Sequence, residues 1–220
     1  MRIGIVKGCF SRRAVSARLR IRSETLRLLI RRLCVNPKKI YTPLDKETIL
    51  SLNAGDKVFL SGVVYTLRDA AHKRLVELYD SHCPTKGKEE KNLLDISGQI
   101  VYYTGLTPLL QNGHSGAAGP TTSIRMDKYT PRLLDAGMVG MIGKGPRGLD
   151  VVRSIRDHQS IYFVTVGGAG AFLAQRIKKV EIVAFEDLGC EAVYRLSVED
   201  FPLWVGVDSR GKTMWDTMLG

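Results

Sequence analysis

Four short segments bring together side chains able to hold and transform an anion. The first is Thr66-Leu67-Arg68-Asp69-Ala70-Ala71-His72-Lys73. Arg68 falls where an apolar strand pattern gives way to a helical one. A helix N-terminus already favours anions through its free N–H groups, and an Arg placed there can hold a carboxylate through two parallel hydrogen bonds. Asp69 reads first as a first-turn acid that pairs with Lys73 one turn on. His72 lies on the Arg68 face, and a lone His is more often a structural hydrogen-bonder than a catalyst. The second segment runs from Gly113 to Asp127, GHSGAAGPTTSIRMD. Its small residues let backbone approach a ligand closely. Thr121, Thr122 and Ser123 supply hydroxyls and Arg125 a second anion clamp; the alternative is a loop whose hydroxyls cap the next helix. The third, Gly143-Lys144-Gly145, presents a lysine without neighbouring side chains. It lacks the rest of the phosphate-loop pattern, which argues against a nucleoside triphosphate site. The fourth, Gly167-Gly168-Ala169-Gly170, fails the G-x-G-x-x-G spacing and reads as a tight strand-to-helix turn.

The elements that must position these segments alternate between strand and helix. Lys57–Val64, Ile100–Thr104, Val139–Ile142 and Ile161–Val166 read as strands. Arg68–Tyr79 has Ala71, Leu75 and Leu78 on one helical face; Pro131–Ala136 and Leu149–Asp157 are further helices, the former closed by Gly137. A helix is expected from the fourth segment through Ile177, followed by closing strands at Val180–Phe185, Ala192–Ser197 and Leu203–Val207. Residues 84–92 and 106–120 read as connections. The class is therefore α/β, with an antiparallel portion near the end. Each chemical segment sits where a strand ends, the usual ligand position in such folds.

The 220 residues suit one domain with an appendage, and 44% hydrophobic against 25% charged residues indicates a globular chain. No apolar run approaches the roughly 20 residues needed to span a bilayer. The net charge of +11 is unevenly spread. Residues 1–36 hold nine Arg and one Lys against Glu24, a net +9; the remainder has 23 basic and 21 acidic residues, a net +2. A nearly neutral body is a poor nucleic-acid binder, because phosphate affinity scales with the phosphates neutralised. Residues 12–33 place Val15, Leu19, Leu26, Leu29 and Leu33 near helical spacing among arginines. Three readings stand side by side: an organelle transit peptide, a helical arm for a partner, or upstream sequence from a mis-chosen start. Asn36-Pro37 is the expected break, giving an extension over 1–37 and a domain over 38–220. Cys9, Cys34, Cys83 and Cys190 have no iron–sulfur or zinc spacing and no disulfide framework; they read as reduced thiols.

T-x-R-D-A-A-H-K-R, Y-Y-T-G-x-T-P, G-P-T-T-S-x-R-M-D and I-G-K-G occur in that order, followed by D-L-G-x-E-A-V-Y and V-E-D-F-P. Together they resemble the β subunit, or C-terminal domain, of class I fumarases and L(+)-tartrate dehydratases over about residues 38–215. The resemblance implies a three-layer swivelling β/β/α domain with a mixed sheet. It implies a [4Fe–4S] cluster held by a partner α subunit, with no metal on this chain, and a C4 dicarboxylate substrate. Arg68, Thr121, Arg125 and Lys144 would bind substrate, with Thr121, Arg125 and Lys144 catalytic and Asp69, His72, Thr122 and Asp127 in support. One position departs: Leu106 stands where the family usually has Pro.

Elimination of water from such a substrate takes a weakly acidic proton beside a carboxylate, and oriented cations stabilise the charge that builds there. Fumarate hydration is the first expectation and L(+)-tartrate dehydration the second, in a cytoplasmic hetero- or homo-oligomer. A non-catalytic assembly module of the same fold is the reading from another class.

Overall fold

The computed structural model describes residues 37–81, 94–107 and 116–216. The chain divides after Asn36 into two units, of which the second is described. The Arg-rich stretch and the charged connection 84–92 lie outside the described residues. Along the described chain run β1 (Lys38–Tyr41), α1 (Lys46–Ser51), β2 (Lys57–Thr66), α2 (Asp69–Asp80), β3 (Ile100–Tyr102), α3 (Thr130–Asp135), β4 (Gly140–Gly143), α4 (Leu149–Asp157), β5 (Ile161–Val164), α5 (Gly170–Ala174), β6 (Ile177–Ala184) and β7 (Val193–Val207). Two 3-10 turns, Ser123–Met126 and Glu186–Glu191, complete the set.

The sheet is mixed. Strands β1 to β5 pair in parallel, in sequence order. Strand β7 runs antiparallel to β5, β6 and β2. Because β7 bonds both β5 and β2, the pairings β2-β3-β4-β5-β7-β2 close into a ring, with β1 and β6 flanking it. Closure leaves β1 and β6, each paired on one side only, as the edge strands.

Strand alternation then divides the apolar residues into two cores. Leu60, Val64, Ile100, Tyr102, Ile142, Phe163 and Val205 belong to one cluster. Their neighbours Val101, Tyr103, Met141 and Tyr162 belong to the other, with Leu75 of α2, Leu133 of α3 and Ile155 of α4. Val207 joins them across the register shift between β5 and β7. Strands β4 and β5 are buried along their whole length, which explains their unbroken apolar sequences. Leu106, the departure from the expected Pro, is buried in the first cluster, so its side chain contributes to packing.

Several elements differ from the sequence reading. Helix α5 ends at Ala174, and Ile177 opens β6 instead of closing the helix. The two closing strands are one 15-residue strand, β7. Strand β1 and helix α1 had no sequence expectation. Among the described residues, no helix is long and apolar enough to cross a membrane.

Candidate active site

Parallel pairing points the C-terminal ends of β2, β3, β4 and β5 the same way. The chain leaving each end carries Arg68-Asp69, Tyr103–Gly105, Lys144 and Thr165–Gly170. A further strand-like segment joins them. Thr121 N–H donates to the Tyr103 carbonyl (2.6 Å), Thr122 bridges Lys144, and Ser123 N–H donates to the Lys144 carbonyl (3.0 Å). These bonds bring Thr121, Thr122, Arg125 and Lys144 to one strand end.

The cations are organised by carboxylates. Arg125 grips Asp69 with two bonds, Nε to Oδ1 at 3.1 Å and Nη2 to Oδ2 at 2.6 Å. The other side of Asp69 faces Arg68, whose Nε lies 3.5 Å from Asp69 Oδ2 and 3.4 Å from Glu191 Oε1. Glu191 Oε2 in turn accepts the Ala70 N–H (2.8 Å), satisfying one of the free donors that open α2. The result is a chain Glu191–Arg68–Asp69–Arg125. Asp69 is thus the bridge between two clamps, and its expected pairing with Lys73 is replaced by one between Lys73 and Glu77. Arg68 Nε is buried without a hydrogen bond, so the guanidinium retains donor capacity. Gly105 makes room for it: a Cβ there would lie 3.1 Å from Arg68 Nη1 and 3.0 Å from the Cys190 carbonyl.

Lys144 and Thr121 are different. Among the described residues the Lys144 ammonium has no carboxylate partner, and the Thr121 hydroxyl has no hydrogen bond. Both are half-buried. Lys144 is fixed through its backbone, since its N–H donates to Ser123 Oγ (3.1 Å). Ser123 Oγ also lies 2.8 Å from the Tyr162 hydroxyl, which lies 2.8 Å from the Gly145 carbonyl. Only one donor assignment satisfies all three contacts: Ser123 donates to Tyr162 and Tyr162 to Gly145. Gly143 is required beneath this network, because a Cβ there would meet Ser123 Oγ at 2.0 Å.

Two sequence candidates, His72 and Asp127, make structural contacts of another kind. His72 is fully buried, stacked on Tyr129 and edge-on to Tyr103. Its Nδ1 donates to the Arg68 carbonyl (3.0 Å), and Nε2 has no partner. Burial pushes its pKa down to about 4, so the ring is neutral at pH 7. Asp127 accepts from Arg147 Nε and from the Gly148 N–H, both at 2.7 Å, which ties the second segment to the start of α4.

Sequence reasoning passed over Arg147 and Glu191, and it gave Ser123 only as one of three hydroxyls, not as the one that fixes Lys144. Arg147 is the buried strut of the site, held between the Tyr103 and Tyr162 rings and bonded to Asp127, Tyr103 and Thr130. Burial works against its charge, but the Tyr103 and Asp127 oxygens outweigh it and its pKa is raised. Its signal in the sequence was its place three residues beyond Lys144. Glu191 lies within D-L-G-x-E-A-V-Y, a stretch legible as motif though not as site.

Among the described residues the arrangement places two carboxylate-paired guanidinium groups, an ammonium without a carboxylate partner and a hydroxyl without a hydrogen bond at neighbouring ends of the parallel strands. Among the described residues no three His, Cys, Asp or Glu side chains are grouped to hold a metal. Cys190 is free and exposed.

Comparison with known proteins gives a consistent picture. Residues 30–218 match the family model described as the fumarase C-terminus. The chain is similar to "Fumarate hydratase class I, anaerobic" of Escherichia coli, with 36% identity over 79% of this chain and 31% of the relative. It is similar to "Fumarate hydratase 2" of Leishmania major, with 33% identity over 80% of this chain and 31% of the relative. A protein named "Putative L(+)-tartrate dehydratase subunit beta", from Methanocaldococcus jannaschii, is 32% identical over 80% of this chain and 90% of its own length. The chain thus spans about a third of the fumarate hydratases it matches and nearly all of this subunit.

Proposed function

From the premise that the chain belongs to the fumarase C-terminus family, we propose that it is the cluster-free β part of an iron–sulfur hydro-lyase acting on a C4 dicarboxylate. The observation that carries this reading is the convergence of Arg68, Arg125, Lys144 and an unbonded Thr121 hydroxyl on one strand end. In this reading the [4Fe–4S] cluster belongs to the partner subunit and supplies the Lewis acid for the departing hydroxyl.

Fumarate or malate carries two carboxylates, and this chain offers three cations. Lys144, unpaired, takes one carboxylate directly. Arg125 exchanges Asp69 for the substrate, or holds substrate with the edge Asp69 leaves free. Arg68, with its unbonded Nε and two flanking carboxylates, is held in orientation by Glu191. When the proton beside a carboxylate leaves, charge builds on that carboxylate, and cations already in place stabilise it without reorganising. Thr121 Oγ is the proposed proton acceptor. A threonine hydroxyl is a weak base, so it requires the neighbouring cations to favour its ionised form.

Fumarate/malate is the first substrate and L(+)-tartrate, giving oxaloacetate, the second. The match to 90% of a subunit-sized relative supports the two-component form. The same proposal includes the three-layer swivelling description, which the helices packed outside the β ring support, and the boundary at residue 37. It also includes a cytoplasmic location and association with a cluster-bearing α subunit. The test is turnover by the chain combined anaerobically with that subunit. Fumarate hydration above tartrate dehydration in kcat/KM is expected; turnover of neither would overturn the proposal.

A further inference from the structure

A groove next to the site takes no part in the chemistry above. It is a cleft of about 340 Å3 between α5 and the faces of β2 and β7 that turn away from the ring interior. Phe59, Trp204, Phe172, Leu173 and Val166 give it apolar walls. Phe172 is 48% exposed and Val166 53%, so apolar surface of the groove faces solvent. Two cations line it as well. Lys57 Nζ stands 5.8 Å from the centroids of both Phe59 and Trp204, and the Arg176 guanidinium 5.4 Å from that of Phe172. Among the described residues neither has a carboxylate partner. On the flanking strands β1 and β6, Lys38, Lys39, Lys178 and Lys179 all do.

The groove is continuous with the site. Thr165, Val166 and Ala169 line it, and between them Gly167 lies against the Lys144 side chain, 3.4 Å from Cδ to a Cβ built there. A body that closes over Lys144 therefore reaches the groove across the same short loop. The occupant must bring apolar surface and negative charge together. A second copy meeting this patch face to face would bring Lys57 and Arg176 against the same cations, which opposes a symmetric dimer here.

We propose that this groove anchors the cluster-bearing subunit: an apolar side chain of that partner, flanked by carboxylates, seats between Phe172 and Trp204 with its charges on Lys57 and Arg176. The inference rests on the half-enzyme reading above. It separates holding the partner from binding the substrate, since no groove side chain belongs to the anion-binding set.

The test is titration of the purified cluster-bearing subunit into the full chain, followed by sedimentation and by turnover. Phe172→Asp and, separately, Arg176→Glu are expected to weaken subunit affinity at least tenfold. Turnover at saturating partner should stay within twofold of the parent, and the melting temperature should be retained. The Arg176→Glu change, which reverses charge without touching the apolar wall, should also flatten the salt dependence of association. If the parent chain binds the subunit and both variants bind it equally well, the groove proposal is overturned and the half-enzyme reading stands. A change in self-association with subunit affinity unaltered would overturn it too, since the occupant would then be a second copy. If the parent chain itself fails to bind the subunit, both readings fall.

Discussion

Arg125 and Lys144 bring the same charge to the site under opposite conditions. Arg125 already holds a carboxylate, Asp69, in the two-pronged geometry a substrate would require. On the proposed function, Asp69 holds Arg125 in register at the place a substrate carboxylate would take. Lysine cannot reproduce the planar fork, so Arg125→Lys is not conservative. Arg125→Lys should lower kcat/KM of the assembled enzyme by a factor corresponding to about 2–4 kcal/mol, the scale of losing an oriented donor. Steady-state turnover checks this, and near-parental kcat/KM would remove Arg125 from the site. Gly143 is the other decisive position. Its replacement by Ala drives a methyl into Ser123 Oγ and against Tyr103. Gly143→Ala should cost about 1–3 kcal/mol of stability, the usual price of overpacking, measurable by denaturant unfolding. Parental stability would show that Ser123 yields freely. The Gly-Lys-Gly spacing suggested an unobstructed lysine; the sequence could not show that the first glycine is demanded by a serine twenty residues earlier.

At the scale of elements, α2 holds Arg68 and is itself fixed from both ends of its first turn. Glu191 takes the Ala70 N–H, and His72 bonds back to the Arg68 carbonyl. His72 is neutral when folded, with its pKa lowered from 6.5 to about 4 by burial, Arg147 opposing and Asp69 favouring its charge. The sign follows directly. Between pH 6.5 and 4 the unfolded chain binds a proton that the folded chain refuses, so stability falls as pH falls through that window. The loss reaches about 3 kcal/mol near pH 4 and goes no further from this group. Unfolding measured from pH 7 to 4 checks it: His72→Gln should flatten the profile, and an unchanged slope would contradict the assignment. Element positions were legible where periodicity was strong: the sequence span Leu149–Asp157 is the span of α4. They failed where local signals misled. Residues 198–202 lie between the two closing strands expected from the sequence, yet β7 runs through them. Asp200 adopts positive φ, and its N–H bonds Ser61 Oγ near the register shift of β2. In β1 only Ile40 is buried, too little alternation to register as a strand.

For the whole molecule, the ring of strands brings Arg68, Arg125 and Lys144 to neighbouring strand ends in a nearly neutral body. Paired carboxylates offset Arg68 and Arg125, while buried Arg147 and Asp127 lock the loop beneath them. The α/β class was legible, and so was the strand-end position of Arg68-Asp69, Gly143-Lys144 and Gly167–Gly170, ends that parallel pairing must bring together. The contacts of Glu191, Ser123 and Arg147 were not, because they exist only across long sequence separations. The family match, from residue 30 to 218, takes in this body and leaves most of the Arg-rich segment outside it. On the proposed function, the body is half of an active site: it binds and polarises a dicarboxylate but needs the partner's iron to release or add water. Iron content and turnover of the purified chain, alone and then with the cluster-bearing subunit under anaerobic conditions, test this most directly. The account predicts no stoichiometric cluster and no dehydratase activity from the chain alone, and activity once the subunit is added. A chain that carries a full cluster and turns over fumarate or tartrate without any partner would contradict it.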